Sequence, residues 1–304
     1  MTFRSGFVSI VGRPNAGKST LTNRLVGAKV AITSNRPQTT RRIIRGIVTR
    51  EDAQVVLVDT PGLHRPRTLL GQRLNDQVRE AWTTVDVIGL CLPANEEIGP
   101  GDRFIANDIK GLTRTPMVAI VTKADLVDRA ALAEHLVEVS ALGEELGIEW
   151  AGIVPVSAAD GENVDALLDV LIALLPEGPV LYPDGEVTDE PLEIAVAELI
   201  REAALEGVQD ELPHSIAVVI EEMGPREGRP ADRPLTDVYA NLFVERDSQK
   251  AIVIGKGGSR LKQVGTRARK GIEELVGTPV YLDIRVKIAK DWQKDPKQLN
   301  RLGF

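Results

Sequence analysis

Gly12-Arg13-Pro14-Asn15-Ala16-Gly17-Lys18-Ser19 has the spacing G-x-x-x-x-G-K-[ST], directly after the apolar run Phe7–Val11 and before a segment of helical period. Phosphate binding accounts for each fixed position. The glycines let successive backbone N–H groups turn inward on phosphate oxygens at a helix N-terminus. Lys18 supplies a point charge to the β- and γ-phosphates, Ser19 offers a hydroxyl to Mg2+, and Thr20 completes the run. Asp59-Thr60-Pro61-Gly62, followed by Leu63, ends the apolar run Val55–Val58, where ligands meet parallel sheets. There Asp59 is expected to hold Mg2+ through water and the Gly62 N–H to sense a γ-phosphate.

Thr122-Lys123-Ala124-Asp125 closes the run Met117–Val121. A carboxylate at Asp125 can accept from both N1–H and the 2-amino group of guanine, donors that adenine lacks in that arrangement, so GTP is selected over ATP. The Lys123 stem is expected over the base plane. Ser157-Ala158-Ala159 follows the last run and offers a backbone N–H to guanine O6. The polar loop Ser34–Arg41 has the place of a nucleotide-responsive switch, with Thr40 the expected Mg2+ ligand and Thr39 the alternative.

A second constellation lies far from the first. Ile254-Gly255-Lys256-Gly257-Gly258 sits between an α-β-β lead-in and a helix, and is similar to the G-x-x-G loop of a KH domain, which clamps about four single-stranded nucleotides. Glycine lets phosphates approach the main chain, and the following helix presents its positive end. Lys250, Lys256, Arg260, Lys262, Arg267, Arg269 and Lys270 crowd around this loop and the following helix, as phosphate neutralisation requires, with Lys256, Arg260, Lys262, Arg269 and Lys270 the expected contacts. Residues 245–304 hold 14 Lys and Arg against 7 Asp and Glu, whereas residues 1–244 hold 23 against 37. The net charge of −7 over 304 residues argues by itself against a nucleic-acid partner, but it sums an acidic portion and a basic one.

The elements that must carry these loops are legible as patterns. The 43% hydrophobic content supplies two cores and excludes disordered classes. The first half alternates continuous apolar runs (Phe7–Val11, Val55–Val58, Val87–Leu92, Met117–Val121, Ile153–Val156) with helical segments (19–26, 70–84, 129–146, 164–175). That order predicts an α/β domain, mostly parallel, with helices on both faces; residues 42–50 alternate as an edge strand would. Residues 177–191 are rich in proline and acids and read as a linker between a domain at 1–176 and one at 192–304. The second domain follows the order α-β-β-α-α-β, an α+β unit. The single Cys91 excludes an internal disulfide and, flanked by Ile88, Leu90 and Leu92, reads as a core thiol. No secretory signal is visible, and no apolar run reaches bilayer length, so a cytoplasmic location is expected.

The order of the five nucleotide-side segments, GRPNAGKST, Gln38-Thr39-Thr40-Arg41, DTPGLH over 59–64, TKAD and SAA, resembles the translation-factor-related GTPases and specifically the Era family of bacteria. The likeness extends through Glu211-Leu212-Pro213-His214-Ser215, the IGKGG turn and the tail after Val286. It departs at Thr122, where most GTPases carry asparagine, and at Leu63, where Ras-like GTPases carry the glutamine that orients the attacking water. The resemblance implies GTP hydrolysis with Lys18, Asn15 and Thr40 in catalytic places. It also implies a slow intrinsic rate stimulated by a K+ ion held partly by Asn15. His64 reads first as a solvated switch-loop histidine, with water positioning as the alternative. Binding near the 3′ end of small-subunit ribosomal RNA, a role in maturing that subunit and a peripheral association with the inner face of the cell membrane are implied as well; a monomer is expected. Two other readings compete with the switch: a non-catalytic RNA-binding scaffold that uses GTP as a structural ligand, and a P-loop ATPase or kinase, which Asp125 disfavours.

Overall fold

The computed structural model describes residues 2–33, 41–63, 66, 68–112, 114–208, 212–230 and 232–304. They form two compact units, with the chain passing from the first to the second between Asp189 and Glu190.

The first unit is a six-stranded sheet with helices on both faces. In chain order its elements are β1 (Arg4–Val11), α1 (Lys18–Val26), β2 (Ile44–Thr49), β3 (Ala53–Asp59), α2 (Leu69–Thr84), β4 (Val87–Pro93), α3 (Pro100–Leu112), β5 (Met117–Thr122), α4 (Arg129–Leu146), β6 (Trp150–Pro155) and α5 (Val164–Leu174). The sheet order is β2-β3-β1-β4-β5-β6, with β2 antiparallel to β3 and all other pairs parallel. Strands β3, β4 and β5 are buried along their whole length, which is why they read as unbroken apolar runs. One core contains Leu90, Leu92 and Trp82, the other Leu21, Leu57 and Leu171. Chain order reverses on either side of β1, the topological switch point where ligands bind such sheets.

Helix α3 was not expected from the apolar pattern. Its marks are local: Pro100 at the first helical position, and Asp102, whose Oδ2 accepts from the Gly99 N–H at 2.9 Å.

Residues 177–189, expected as part of a linker, are fastened to the first unit. Gln54, fully buried, accepts at Oε1 from the Leu181 and Tyr182 N–H groups (2.7 and 2.9 Å) and donates from Nε2 to the Tyr182 carbonyl (3.0 Å). Ser5 Oγ donates to the Pro179 carbonyl at 2.6 Å. Further on, Thr188 pairs with Gly46 on the outer edge of β2, and Arg45 forms an ion pair with Asp189 at 3.1 Å. The edge of the sheet is thus covered rather than left as an open template.

The second unit consists of α6 (Leu192–Leu205), the short α7 (Leu212–Ser215), β7 (Ala217–Pro225), β8 (Thr236–Val244), α8 (Asp247–Ile254), α9 (Ser259–Val276), β9 (Val280–Ile288) and α10 (Pro296–Arg301). Strand β8 is central, antiparallel to β7 and parallel to β9. Val264, Ala268 and Ile272, four residues apart on α9, form one buried stripe, and α6 contributes Val196 and Ile200 to the same core. The tail closes back on the unit: Trp292 donates to the Ser215 carbonyl at 3.0 Å and stacks on Phe304.

Candidate functional site

The loop between β1 and α1 forms a cradle for an anion. Gly12 has φ +149°, and an added Cβ would lie 2.9 Å from the Cys91 carbonyl, so only glycine lets the chain turn there. Asn15 is also left-handed (φ 64°) and exposed. Gly17 precedes α1 without capping it by a side chain, leaving the dipole and first N–H groups of that helix to face the loop. The Lys18 ammonium donates to the carbonyls of Gly12 (3.0 Å) and Arg13 (2.8 Å). Burial pushes its pKa down, while the nearby Asp59 carboxylate pushes it up.

Asp59 ends β3 fully buried and accepts at Oδ2 from Ser19 Oγ at 2.7 Å. Two of the three residues expected to hold Mg2+, Ser19 and Asp59, thus lie side by side although forty positions apart in the chain. Among the described residues no cluster of three or more His, Cys, Asp or Glu could hold a metal. A sparse all-oxygen set fits Mg2+, which is bound through one or two protein oxygens with phosphate and water completing its shell. Thr60 Oγ1 donates to the Ile10 carbonyl at 3.1 Å, and Gly62 lies so close to Pro14 that a Cβ would meet its nitrogen at 3.0 Å. Asp59, Thr60, Pro61 and Gly62 are thereby laid against the phosphate loop. Leu63 is buried in the core with Val58 and Leu92 and offers no polar atom to a water. Thr40 and His64 lie outside the described residues.

The ends of β5 and β6 form the other wall. Thr122, buried, donates from Oγ1 to the Ala16 carbonyl at 2.7 Å, tying β5 to the phosphate loop. Lys123 is left-handed (φ 57°), and Asp125 stands exposed in the following single 3-10 turn. Ala124 N donates to the Val156 carbonyl at 3.2 Å, bringing buried Ser157 and half-buried Ala158 alongside. Two acids that the sequence did not single out join this site. Asp102, buried, accepts at Oδ1 from Arg13 Nε at 2.7 Å. Glu96 lies 3.3 Å from Arg13 and 3.2 Å from Lys123. Neither belongs to a nucleotide-binding motif; the approach of the β4–α3 connection and the first turn of α3 to the loop reveals them. Beneath the loop, Cys91 is fully buried in β4, and burial pushes its thiol up to about 12.

In the second unit, Ile254 is half-buried and closes α8, and the turn Lys256–Gly258 leads into α9. Gly255 has φ +72° and sits against the Arg260 backbone, where a Cβ would be 3.0 Å from its nitrogen. Gly257 and Gly258 face open space, so a phosphodiester can approach the main chain there. Lys256, Lys262, Arg269 and Lys270 are exposed along this end and the outer side of α9. Arg260, expected among them, is turned inward: it donates to the carbonyls of Ala204 (3.2 Å) and Glu206 (2.8 Å), satisfying the end of α6. Arg267 pairs with Glu206 at the same place.

Residues 7–123 match the family model described as 50S ribosome-binding GTPase, and residues 211–293 match that of the KH domain. The chain is 69% identical over 301 residues to GTPase Era of Streptomyces coelicolor, covering 99% of this chain and 95% of the relative. It is 66% identical to GTPase Era of Mycobacterium tuberculosis, covering 99% of both. Two solved structures, each 36% identical and covering 99% of both chains, superpose on it. One is Era in complex with MgGDPNP and nucleotides 1506–1542 of 16S ribosomal RNA (TM-score 0.93), the other an Aquifex aeolicus Era variant bound to GDP and AlF4− (TM-score 0.92). With such identity sustained from end to end, across both the phosphate-loop unit and the glycine-turn unit, the chain belongs to the Era family of GTPases.

Proposed function

We propose that this GTPase is a molecular switch that binds the 3′ end of small-subunit ribosomal RNA through its KH unit and assists maturation of the small ribosomal subunit. The observation that carries the reading is the likeness, over 99% of both chains, to an Era structure that holds MgGDPNP and a 16S RNA segment together. The basic charge gathered at residues 245–304 supports it independently.

In this reading the backbone of Gly12–Ser19 and Lys18 bind the phosphates, Thr20 adjoins them, and Ser19, Asp59 and Thr40 hold Mg2+. Bound there, Mg2+ neutralises phosphate charge as the bond to the γ-phosphate breaks. Thr60, Pro61, Gly62 and Leu63 line the γ-phosphate side. Thr122, Lys123, Asp125, Ser157 and Ala158 receive guanine. Since Leu63 is buried and apolar, intrinsic hydrolysis is slow, and Asn15 is the residue through which K+ stimulates it; equal rates in Na+ and K+ refute that role. Ile254 and Gly255–Gly258 take the RNA backbone, with Lys256, Lys262, Arg269 and Lys270 neutralising phosphates and Arg260 holding α6 in place. A cytoplasmic monomer with peripheral membrane contact completes the proposal; no helix of the described residues is long and apolar enough to cross a membrane.

Crosslinking to the 3′ end of 16S RNA with GTP or GDP bound, in wild type and Gly257→Asp, tests the reading. Loss of crosslinks in the variant and unequal crosslinking between nucleotides are expected; undiminished crosslinks in the variant overturn the clamp. The non-catalytic scaffold is disfavoured by the family's GTPase character. Unaccelerated single-turnover hydrolysis in K+ with RNA present would restore it.

A further inference from the structure

We infer that Glu96 is a positioning residue for the guanine nucleotide, acting through Lys123 and Arg13; the inference rests on the reading of this site as a GTP site. Glu96 belongs to the connection between β4 and α3, outside all five nucleotide segments. The backbone holds that connection against the site: Ala94 N donates to the Thr122 carbonyl at 2.8 Å, and Glu96 N to the Pro93 carbonyl at 3.2 Å. From there one carboxylate reaches both walls. Its Oε1 lies 3.2 Å from Lys123 Nζ, and its Oε2 lies 3.3 Å from an Arg13 terminal nitrogen.

Arg13 is itself fixed on two other sides. Buried Asp102 holds its Nε, and its stem runs past Gly101 so closely that a Cβ there would meet Arg13 Cδ at 2.9 Å. Glu96 therefore pulls Lys123 toward an anchored group rather than toward a loose one. Lys123 stands on a left-handed backbone two residues before Asp125. Where its ammonium is held decides where its stem lies, and the stem is the part that covers the base plane.

The role is one of placement and not of bulk stability. Glu96 and both its partners are partly exposed, and such pairs contribute little to folding. Breaking both ion pairs in the nucleotide-bound protein corresponds to a release rate raised about 3- to 10-fold.

The test measures dissociation of a fluorescent GDP analogue from full-length wild type, Glu96→Gln, Lys123→Met and the double variant, with thermal midpoints recorded for each. Glu96→Gln should release the nucleotide about 3- to 10-fold faster at an unchanged midpoint, and should add little once Lys123 is already methionine. An unchanged release rate in Glu96→Gln, or rate effects that multiply fully in the double variant, overturns the inference. Failure of wild type to bind the analogue instead overturns the reading of the site.

Discussion

Thr122→Val removes one hydroxyl at nearly constant shape, and the hydroxyl has an identified partner. Its oxygen donates to the Ala16 carbonyl at 2.7 Å, with both residues buried, so water cannot replace the lost donor. A buried acceptor deprived of a partner costs about 1–3 kcal/mol. For a unit of this size that lowers the melting midpoint by roughly 2–4 °C per kcal/mol. The same bond holds the start of the Thr122–Asp125 turn, the proposed seat of guanine, against the phosphate loop, so its loss should also weaken GDP binding, by about 5- to 30-fold if 1–2 kcal/mol is felt there. Cys91 provides an assay confined to the first unit. It is the chain's single cysteine and fully buried in β4, so thiol labelling across a urea series reports unfolding of that unit alone. GDP affinity is measured in parallel, with Thr122→Ser as the control that keeps the hydroxyl. A midpoint and affinity in Thr122→Val equal to wild type, or a serine variant as impaired as valine, would refute the tether.

Three further outcomes are expected. Native Cys91 should resist alkylation at pH 8 and react at once on denaturation, since burial raises its thiol to about 12; rapid native labelling contradicts this. His135 is buried in α4, and burial holds its imidazole below the ordinary value against the opposing pull of Glu138 and Asp102. The unfolded chain, with a histidine pKa of about 6.5, then takes up the proton first, so stability is lost as pH falls below that value, until the folded imidazole is itself protonated. Urea midpoints at pH 7.5 and 5.5 should therefore differ more in wild type than in His135→Gln, and identical differences refute the assignment. Gln54→Ala deprives the Leu181 and Tyr182 backbone of three hydrogen bonds, which should cost about 2–4 kcal/mol and open residues 177–189 to proteolysis. An unaltered cleavage pattern would contradict that role.

The phosphate loop, the DTPG turn, the TKAD turn and the glycine turn before α9 were all legible in the sequence. Each is a contiguous run whose chemistry depends on backbone shape within a few residues, and each follows a strand or precedes a helix that its own apolar pattern declares. Strands buried on both faces, such as β4 and β5, are equally plain because no polar residue interrupts them. Groups whose partners lie far away in the chain were not legible. Gln54 is an ordinary polar residue until residues 181 and 182 arrive at its amide, and only then does the proline-rich segment become part of the first unit. Arg260 looks like one more phosphate-binding cation until the end of α6 presents its open carbonyls. Glu96, in the β4–α3 connection, and Asp102, in the first turn of α3, are two unremarked acids until the fold brings Glu96 to Arg13 and Lys123 and Asp102 to Arg13. Local chemistry follows from the order of residues; what a side chain is free to bind is decided by whichever neighbours the fold delivers to it first.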